Sequence, residues 1–371
     1  MVVLSDPADV QAILTTQFDQ FVKGPFINDV LRDFVGEGLL SSDGDQWYHQ
    51  RKTAAKFFSA KTLRNMMMHA LHKSMDKLTL QTFTEVGVGV EFPVIGNAKP
   101  LPFEAAMDAT APLIALRAVL AKSSNLMRES ARALVEEGLQ RLNQKPSSDN
   151  DATVRSAIDL FVEHSDPNKV GLRPQDLVDF MLTFVVAARD TTALTLAWFF
   201  YSVHKHPEVE AKLRQELGSK LPSLGITDKS DYITTDHVKH LVYLEAAIKE
   251  TLRLYPAGPF NVRQAVDDTL VNGDLFLKKD QVVAIPIYAM ARNVNVWGPD
   301  ANEFKPERWI DVETGKLLPQ PADRFVSFSS GPRMCIGMKL AMTSLRVATA
   351  NLLFRFKFEI DPSNDASVGL C

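Results

Sequence analysis

The decisive stretch of this chain is Phe328-Ser329-Ser330-Gly331-Pro332-Arg333-Met334-Cys335-Ile336-Gly337, followed by a helical-looking run from Met338 to Phe354. A cysteine just ahead of a helix meets backbone N–H groups that lack intrahelical acceptors, and it meets the positive end of the helix dipole. Both favour a thiolate. Gly331 and Gly337 permit a tight loop and a close approach of backbone to a flat ligand. Phe328 can shield one side of the sulfur, and Arg333 offers a cation to an anionic group nearby. A lone cysteine in such a place reads equally as a buried structural thiol. One phenylalanine, two glycines and an arginine at these spacings tilt the reading towards a ligand-holding loop.

Composition narrows the classes around that loop. The 371 residues carry 41 basic and 45 acidic side chains, a formal net charge of −4, which gives no support to a nucleic-acid partner. The only two cysteines are Cys335 and Cys371, too few for a disulfide framework or a multi-cysteine zinc site. His204 and His206 flank a helix end with no third ligand in view, so a histidine metal site is not expected. No basic segment leads into an apolar run after Met1, so neither signal peptide nor anchor is legible. Phe180 to Val203 is apolar enough to suggest a membrane span, but Arg189-Asp190-Thr191-Thr192 interrupts its centre. A helix buried inside protein is the expected form.

Outward from these segments the pattern is mainly helical. Asp6-Pro7 opens a first helix, and a basic helix is expected from Trp47 through Arg64. Amphipathic stretches follow at Phe103–Leu120 and Met127–Leu142. Gly87, Gly89, Pro93 and Pro100-Leu101-Pro102 break the pattern, and Gln144–Asp151 reads as an exposed loop. A long helix starts at Pro174 and closes at His206-Pro207, and a second runs from about Asp236 to Tyr255. Thr269–Ile287 alternates like short strands with turns at Asn272-Gly273-Asp274 and Lys278-Lys279-Asp280. The expectation is one mainly α domain with a minor β-sheet spanning residues 1–371.

The cysteine loop resembles the haem-binding loop of the cytochrome P-450 family, haem-thiolate monooxygenases, matching at Phe328, Gly331, Arg333, Cys335 and Gly337. Other motifs of that family occur in order. Glu250-Thr-Leu-Arg253 is similar to its Glu-x-x-Arg, whose charges share a helical face at i and i+3. Alone that pair reads as a surface ion pair worth about 0.3–0.5 kcal/mol. With Arg308 in Pro306-Glu-Arg-Trp309 it resembles the family's structural charge network, with Trp309 where phenylalanine is usual. Ala187-Ala188-Arg189-Asp190-Thr191-Thr192 resembles the oxygen-side motif, departing from it at Ala188, where glycine is usual and a methyl group crowds the pocket. Trp47-Tyr-His-Gln-Arg51 resembles Trp-x-x-x-Arg, with i, i+4 spacing on one face. Arg263 sits where the family often supplies a further propionate-binding arginine; on residues alone it reads also as a strand-surface arginine.

The resemblance implies a cytochrome P-450-like helical fold around haem b. Cys335 is then the iron ligand, and Trp47, Arg51, Arg263 and Arg333 hold the haem propionates. Asp190 and Thr191 act as the proton-relay acid and the dioxygen-side hydroxyl. It further implies a small apolar substrate, O2, and electrons from NADPH through a cytochrome P-450 reductase. The basic run Arg51, Lys52, Lys56, Lys61, Arg64 reads either as an electron-donor docking face or as a solvated helix surface. Met290-Ala-Arg292, Trp297-Gly-Pro-Asp300 and Pro306-Glu-Arg-Trp309 look most like the branch that hydroxylates fatty-acid chains. Against the family pattern the chain is expected to lack an N-terminal anchor, part of the roof around Ala106–Leu142 and the last hairpin. A longer form would sit at the endoplasmic-reticulum surface and this one in the cytoplasm. The alternative to turnover is a truncated haem-binding member.

Overall fold

The computed structural model describes residues 1–58, 117–144, 174–319 and 324–358. Gly87, Gly89, Pro93, Pro100–Pro102, most of Phe103–Leu120, the loop after Gln144, Lys61, Arg64 and Cys371 lie outside them. The described elements in chain order are β1 (Val2–Val3), α1 (Pro7–Gln11), β2 (Phe21–Val22), α2 (Gly24–Val35), α3 (Gly44–Phe57) and α4 (Arg117–Gln144). They continue with α5 (Pro174–Lys205), α6 (Pro207–Lys220), α7 (Thr235–Val238), α8 (Val242–Leu254) and β3 (Asn261–Ala265). The last are β4 (Thr269–Val271), β5 (Leu275–Leu277), β6 (Val282–Ile285), α9 (Ile287–Met290), α10 (Val294–Trp297) and α11 (Met338–Arg355). Helices dominate, as the sequence pattern predicts.

Helix α5 is the axis of the fold. Pro174 starts it, Asp176 lies in its first turn, and His204 and Lys205 lie in its last, each charge matching the dipole end it faces. At 1.5 Å per residue its 32 residues run about 48 Å. By length and composition Gln175–Lys205 would suffice to cross a membrane. In this fold it packs against α2, α4, α6, α8 and α11. Its first half (Leu177, Val178, Phe180–Leu182) is buried against Val35, Trp47, Met127 and Val135. Phe199 and Val203 in its second half join a cluster with Leu213, Leu244, Ile248 and Leu345. Burial of each such side chain contributes about 1.5–3 kcal/mol, an upper figure for a compact unfolded chain.

Two departures from the sequence reading have visible causes. The segment expected as one helix from Asp236 to Tyr255 is broken between α7 and α8. There the Glu216 carboxylate of α6 accepts the Tyr243 and Leu244 N–H groups at 2.8 and 2.9 Å and caps α8 from outside. Burial pushes that carboxyl above its usual range, opposed by these N–H groups. The N-terminal region is not purely helical either. β1 pairs parallel with β6, and β2 pairs antiparallel with β3, giving sheet order β1-β6-β3-β2. In register, Arg263 stands opposite Val283. A separate hairpin, β4–β5, closes at Asn272-Gly273-Asp274.

Candidate active site

The cysteine loop is held by its own backbone. Cys335 N–H donates to Phe328 O at 2.8 Å, and Met334 N–H donates to Gly331 O at 3.0 Å, closing a short 3-10 turn over Gly331–Arg333. Three residues after Cys335, at Met338, α11 begins. The Gly337 and Met338 N–H groups point at Sγ, so the expected helix-start donors are present. They do not win. Burial pushes the Cys335 thiol up, and the two N–H groups and nearby Arg51 only oppose it. At φ +66° a Cβ on Gly331 would lie 1.9 Å from the Leu14 carbonyl oxygen, so the glycine permits a close contact with the N-terminal segment. Gly337 is the residue whose Cβ would stand 3.9 Å from Sγ and 3.8 Å from the Phe58 ring.

Cations gather on one side of this loop. Trp47 and Arg51 rise from the same face of α3, with Trp47 buried against Phe18. The Arg333 guanidinium stacks 4.3 Å from the Trp47 ring centroid. It already meets one anionic group. Its Nη2 pairs with Asp43 Oδ1 at 2.6 Å and its Nη1 donates to Ser42 O at 3.1 Å, while its buried Nε has no partner among the described residues. Arg263 is almost wholly buried, not on a strand surface. Its Nη1 donates to Asn261 Oδ1 and Val262 O at 2.6 and 2.8 Å, and its Nε too has no partner among the described residues. Burial and the mutual repulsion of Arg263 and Arg333 depress the Arg263 pKa to about 10. Arg333 is depressed to about 10 by burial, against the pull of Asp43. Lys23, which sequence reasoning missed, completes the group. Its signal was faint: Lys23-Gly24-Pro25 at a helix start.

From α5, Ala187, Ala188, Asp190, Thr191, Thr192 and Thr195 line the same cavity as Cys335. The Thr191 hydroxyl donates to Ala187 O at 2.6 Å, and the helix stays continuous through it, so no local opening of α5 is seen. The hydroxyl's lone pairs remain able to accept. Asp190 lies 3.5 Å from the Arg189 guanidinium.

The charge network forms as the spacing predicts, with more members. Arg253 Nε and Nη2 each reach Glu250 at 2.8 Å, and Arg308 Nε donates to Glu250 Oε1 at 3.3 Å. Two unforeseen donors join: the Trp309 indole at 2.9 Å and the Lys305 N–H at 3.0 Å. The tryptophan in place of phenylalanine thus adds a hydrogen bond. Arg253 also binds the carbonyls of Ala291, Ala301 and Glu303, and Arg308 binds Asp300. Glu250 and Arg253 have no exposed side-chain surface, so the pair is stable only because its donors and acceptors are matched. The network ties α8 to the Pro306–Trp309 turn. Ser327 Oγ, just ahead of the cysteine loop, donates to Leu252 O at 2.7 Å and links loop to network.

These walls enclose a cavity of about 690 Å³. Cys335, Gly337 and Arg51 line it on one side, Asp190 and Thr191 on another, and Lys23, Arg263 and Arg333 near the sheet. Leu39, Leu40, Phe58, Phe184, Val186 and Phe260 supply apolar surface. Its size falls within the range of small-molecule sites.

A mainly helical fold around a cysteine-bearing pocket with a cation cluster agrees with the haem-thiolate resemblance of the sequence. The family model described as Cytochrome P450 matches residues 99–368. The chain is 28% identical to Cytochrome P450 86B1 of Arabidopsis thaliana over 96% of its own length and 72% of the relative's. It is 30% identical to Cytochrome P450 704C1 of Pinus taeda, covering 96% and 78%, and 28% identical to Cytochrome P450 94A1 of Vicia sativa, covering 96% and 75%. The chain belongs to the cytochrome P450 family and is an oxidoreductase of the monooxygenase class.

Family membership implies haem with cysteine-thiolate iron ligation, and O2 with a redox partner. The residues present fit such a group. A sulfur donor faces the cavity, Gly337 leaves space beside it, and among the described residues two arginines keep unpartnered Nε donors beside one carboxylate, Asp43. Apolar walls enclose the rest.

Proposed function

We propose that the chain inserts one oxygen atom from O2 into an apolar C–H bond, with fatty-acid chains as the substrate class. Electrons would come from NADPH through a cytochrome P450 reductase. The observation that carries the reading is one cavity bounded by Cys335 on one wall and the Asp190-Thr191 pair of α5 on another. When bound, haem b supplies the oxygen activation, which the side chains alone cannot perform. Cys335 Sγ would hold the iron as a thiolate, with the Gly337 and Met338 N–H groups directed at it. Arg51, Arg263, Arg333 and the Trp47 indole line the cavity and would hold the haem carboxylates through charge-assisted hydrogen bonds. Thr191 Oγ1 accepts a hydrogen bond from water while donating to Ala187 O, and the Asp190 carboxyl replenishes protons from outside.

The apolar lining and the resemblance of Met290–Trp309 to the fatty-acid-hydroxylating branch support the substrate class. Exposed Lys52 and Lys56 share α3 with Arg51, which supports an acidic electron donor docking on the cysteine side. The test is reconstitution with NADPH, reductase and a panel of fatty acids under isotopically labelled dioxygen, with products read by mass spectrometry. The reading requires a hydroxylated product carrying one labelled oxygen. A haem-loaded chain that yields no such product from any member of the panel overturns it, and leaves a haem-binding protein without turnover.

A further inference from the structure

Lys23 stands between β2 and α2, and its main chain is fixed from outside. Its N–H and that of Gly24 donate to Asp43 Oδ1 and Oδ2 at 2.9 and 3.0 Å. Asp43 also takes Arg333, so the carboxylate nearest to Lys23 is saturated by two backbone groups and a guanidinium. The Lys23 amine itself has no hydrogen bond or ion pair among the described residues, and its side chain lines the cavity. The charged groups facing it are Arg263 from β3, Arg333 from the cysteine loop and Asp43 from the turn before α3; Arg51 of α3 lines the same cavity. Three cations beside one spent carboxylate repel one another. Such a cluster is relieved by an anion with two negative charges. It is relieved less completely by losing a proton, and among these three groups only a lysine can do so near neutral pH.

We propose that Lys23 is a carboxylate-binding residue of this cavity, its Nζ taking up a proton from solvent when a porphyrin dicarboxylate enters. Uptake of the ligand then consumes one proton from solvent. This rests on the haem reading above. Burial, followed by Arg263 and Arg333, brings the lysine from 10.5 to about 7, with Asp43 opposing. A carboxylate within hydrogen-bond reach favours the charged form. At pH 8 the free amine is then mostly neutral and the bound one mostly charged, and uptake approaches about one proton; at pH 6 it falls to about 0.1.

The test is titration calorimetry of the full chain with iron-free protoporphyrin IX, run in two buffers of different ionisation enthalpy. Leaving out the iron removes proton release from the Cys335 thiol. The expected result is stoichiometric binding with nearly one proton taken up at pH 8 and little at pH 6. In Lys23→Met the uptake disappears and affinity drops about tenfold or more. Lys23→Arg, always charged, binds at pH 8 without uptake. On holoprotein, haem loss to a scavenger should be about tenfold faster for Lys23→Met than for wild type, and near wild type for Lys23→Arg. Stoichiometric binding with no uptake at pH 8, or uptake unchanged in Lys23→Met, overturns this assignment and leaves the haem reading standing. Failure of wild type to bind the porphyrin at all overturns both.

Discussion

Replacing Glu250 with glutamine keeps the shape of the side chain and removes its charge from a site with no exposed side-chain surface. Oε1 accepts from Arg253 Nη2, Lys305 N and Arg308 Nε, and Oε2 accepts from Arg253 Nε and Trp309 Nε1. A glutamine offers one oxygen and one NH2. Whichever way it turns, two or three donors meet a donor, and the Arg253 guanidinium loses its counter-charge. An unmatched buried donor costs about 1–3 kcal/mol, and breaking a buried ion pair costs about 3–5 kcal/mol. The second figure already includes part of the first, so the expected loss is about 3–5 kcal/mol. Trp309→Phe removes one donor and leaves the charges paired, so it should cost about 2 kcal/mol. Urea unfolding of the haem-bound variants followed by circular dichroism measures both. A Glu250→Gln protein within about 1 kcal/mol of wild type, or a Trp309→Phe protein as damaged as Glu250→Gln, would refute the account of the network.

Other consequences follow from the site and its supports. Gly331→Ala places a methyl group against the Leu14 carbonyl at a positive φ, and should lower stability by about 2–5 kcal/mol in thermal melts. In the ligand-free chain, folded Lys23 binds fewer protons than unfolded lysine between pH 7 and 10.5. Its contribution to stability therefore rises with pH through that window, and is lowest below about pH 7, where the half-buried amine is charged beside Arg263 and Arg333. Urea midpoints at pH 7 and pH 10 should show an upward slope that Lys23→Met flattens. Thr191→Ala and Asp190→Asn should leave NADPH consumption in place but lower hydroxylated product about tenfold or more, with peroxide release rising to match.

The segments legible in sequence are those whose partners lie nearby along the chain. Pro174 to Lys205 carries its own caps and apolar faces, and the Phe328–Gly337 loop closes through bonds spanning three to seven residues. Glu250 and Arg253 meet because i and i+3 share a helical face. What escaped depends on distant chain. The break between α7 and α8 is set by Glu216, more than twenty residues upstream. The burial of Lys23 needs Asp43 and β3, and no local pattern announces either. Strands as short as Val2–Val3 and Phe21–Val22 are defined by β6 and β3 rather than by their own two residues. For the same reason Gly331 signalled a tight approach without revealing that Leu14 makes it.

The most direct test of the central claim, ligation of haem iron by Cys335, is the carbon-monoxide difference spectrum of the reduced protein beside that of Cys335→Ser. Thiolate ligation predicts the strongly red-shifted band in wild type and its absence in a Cys335→Ser protein that still binds carbon monoxide. A red-shifted band that survives the substitution, or one that never forms in haem-loaded wild type, would contradict it.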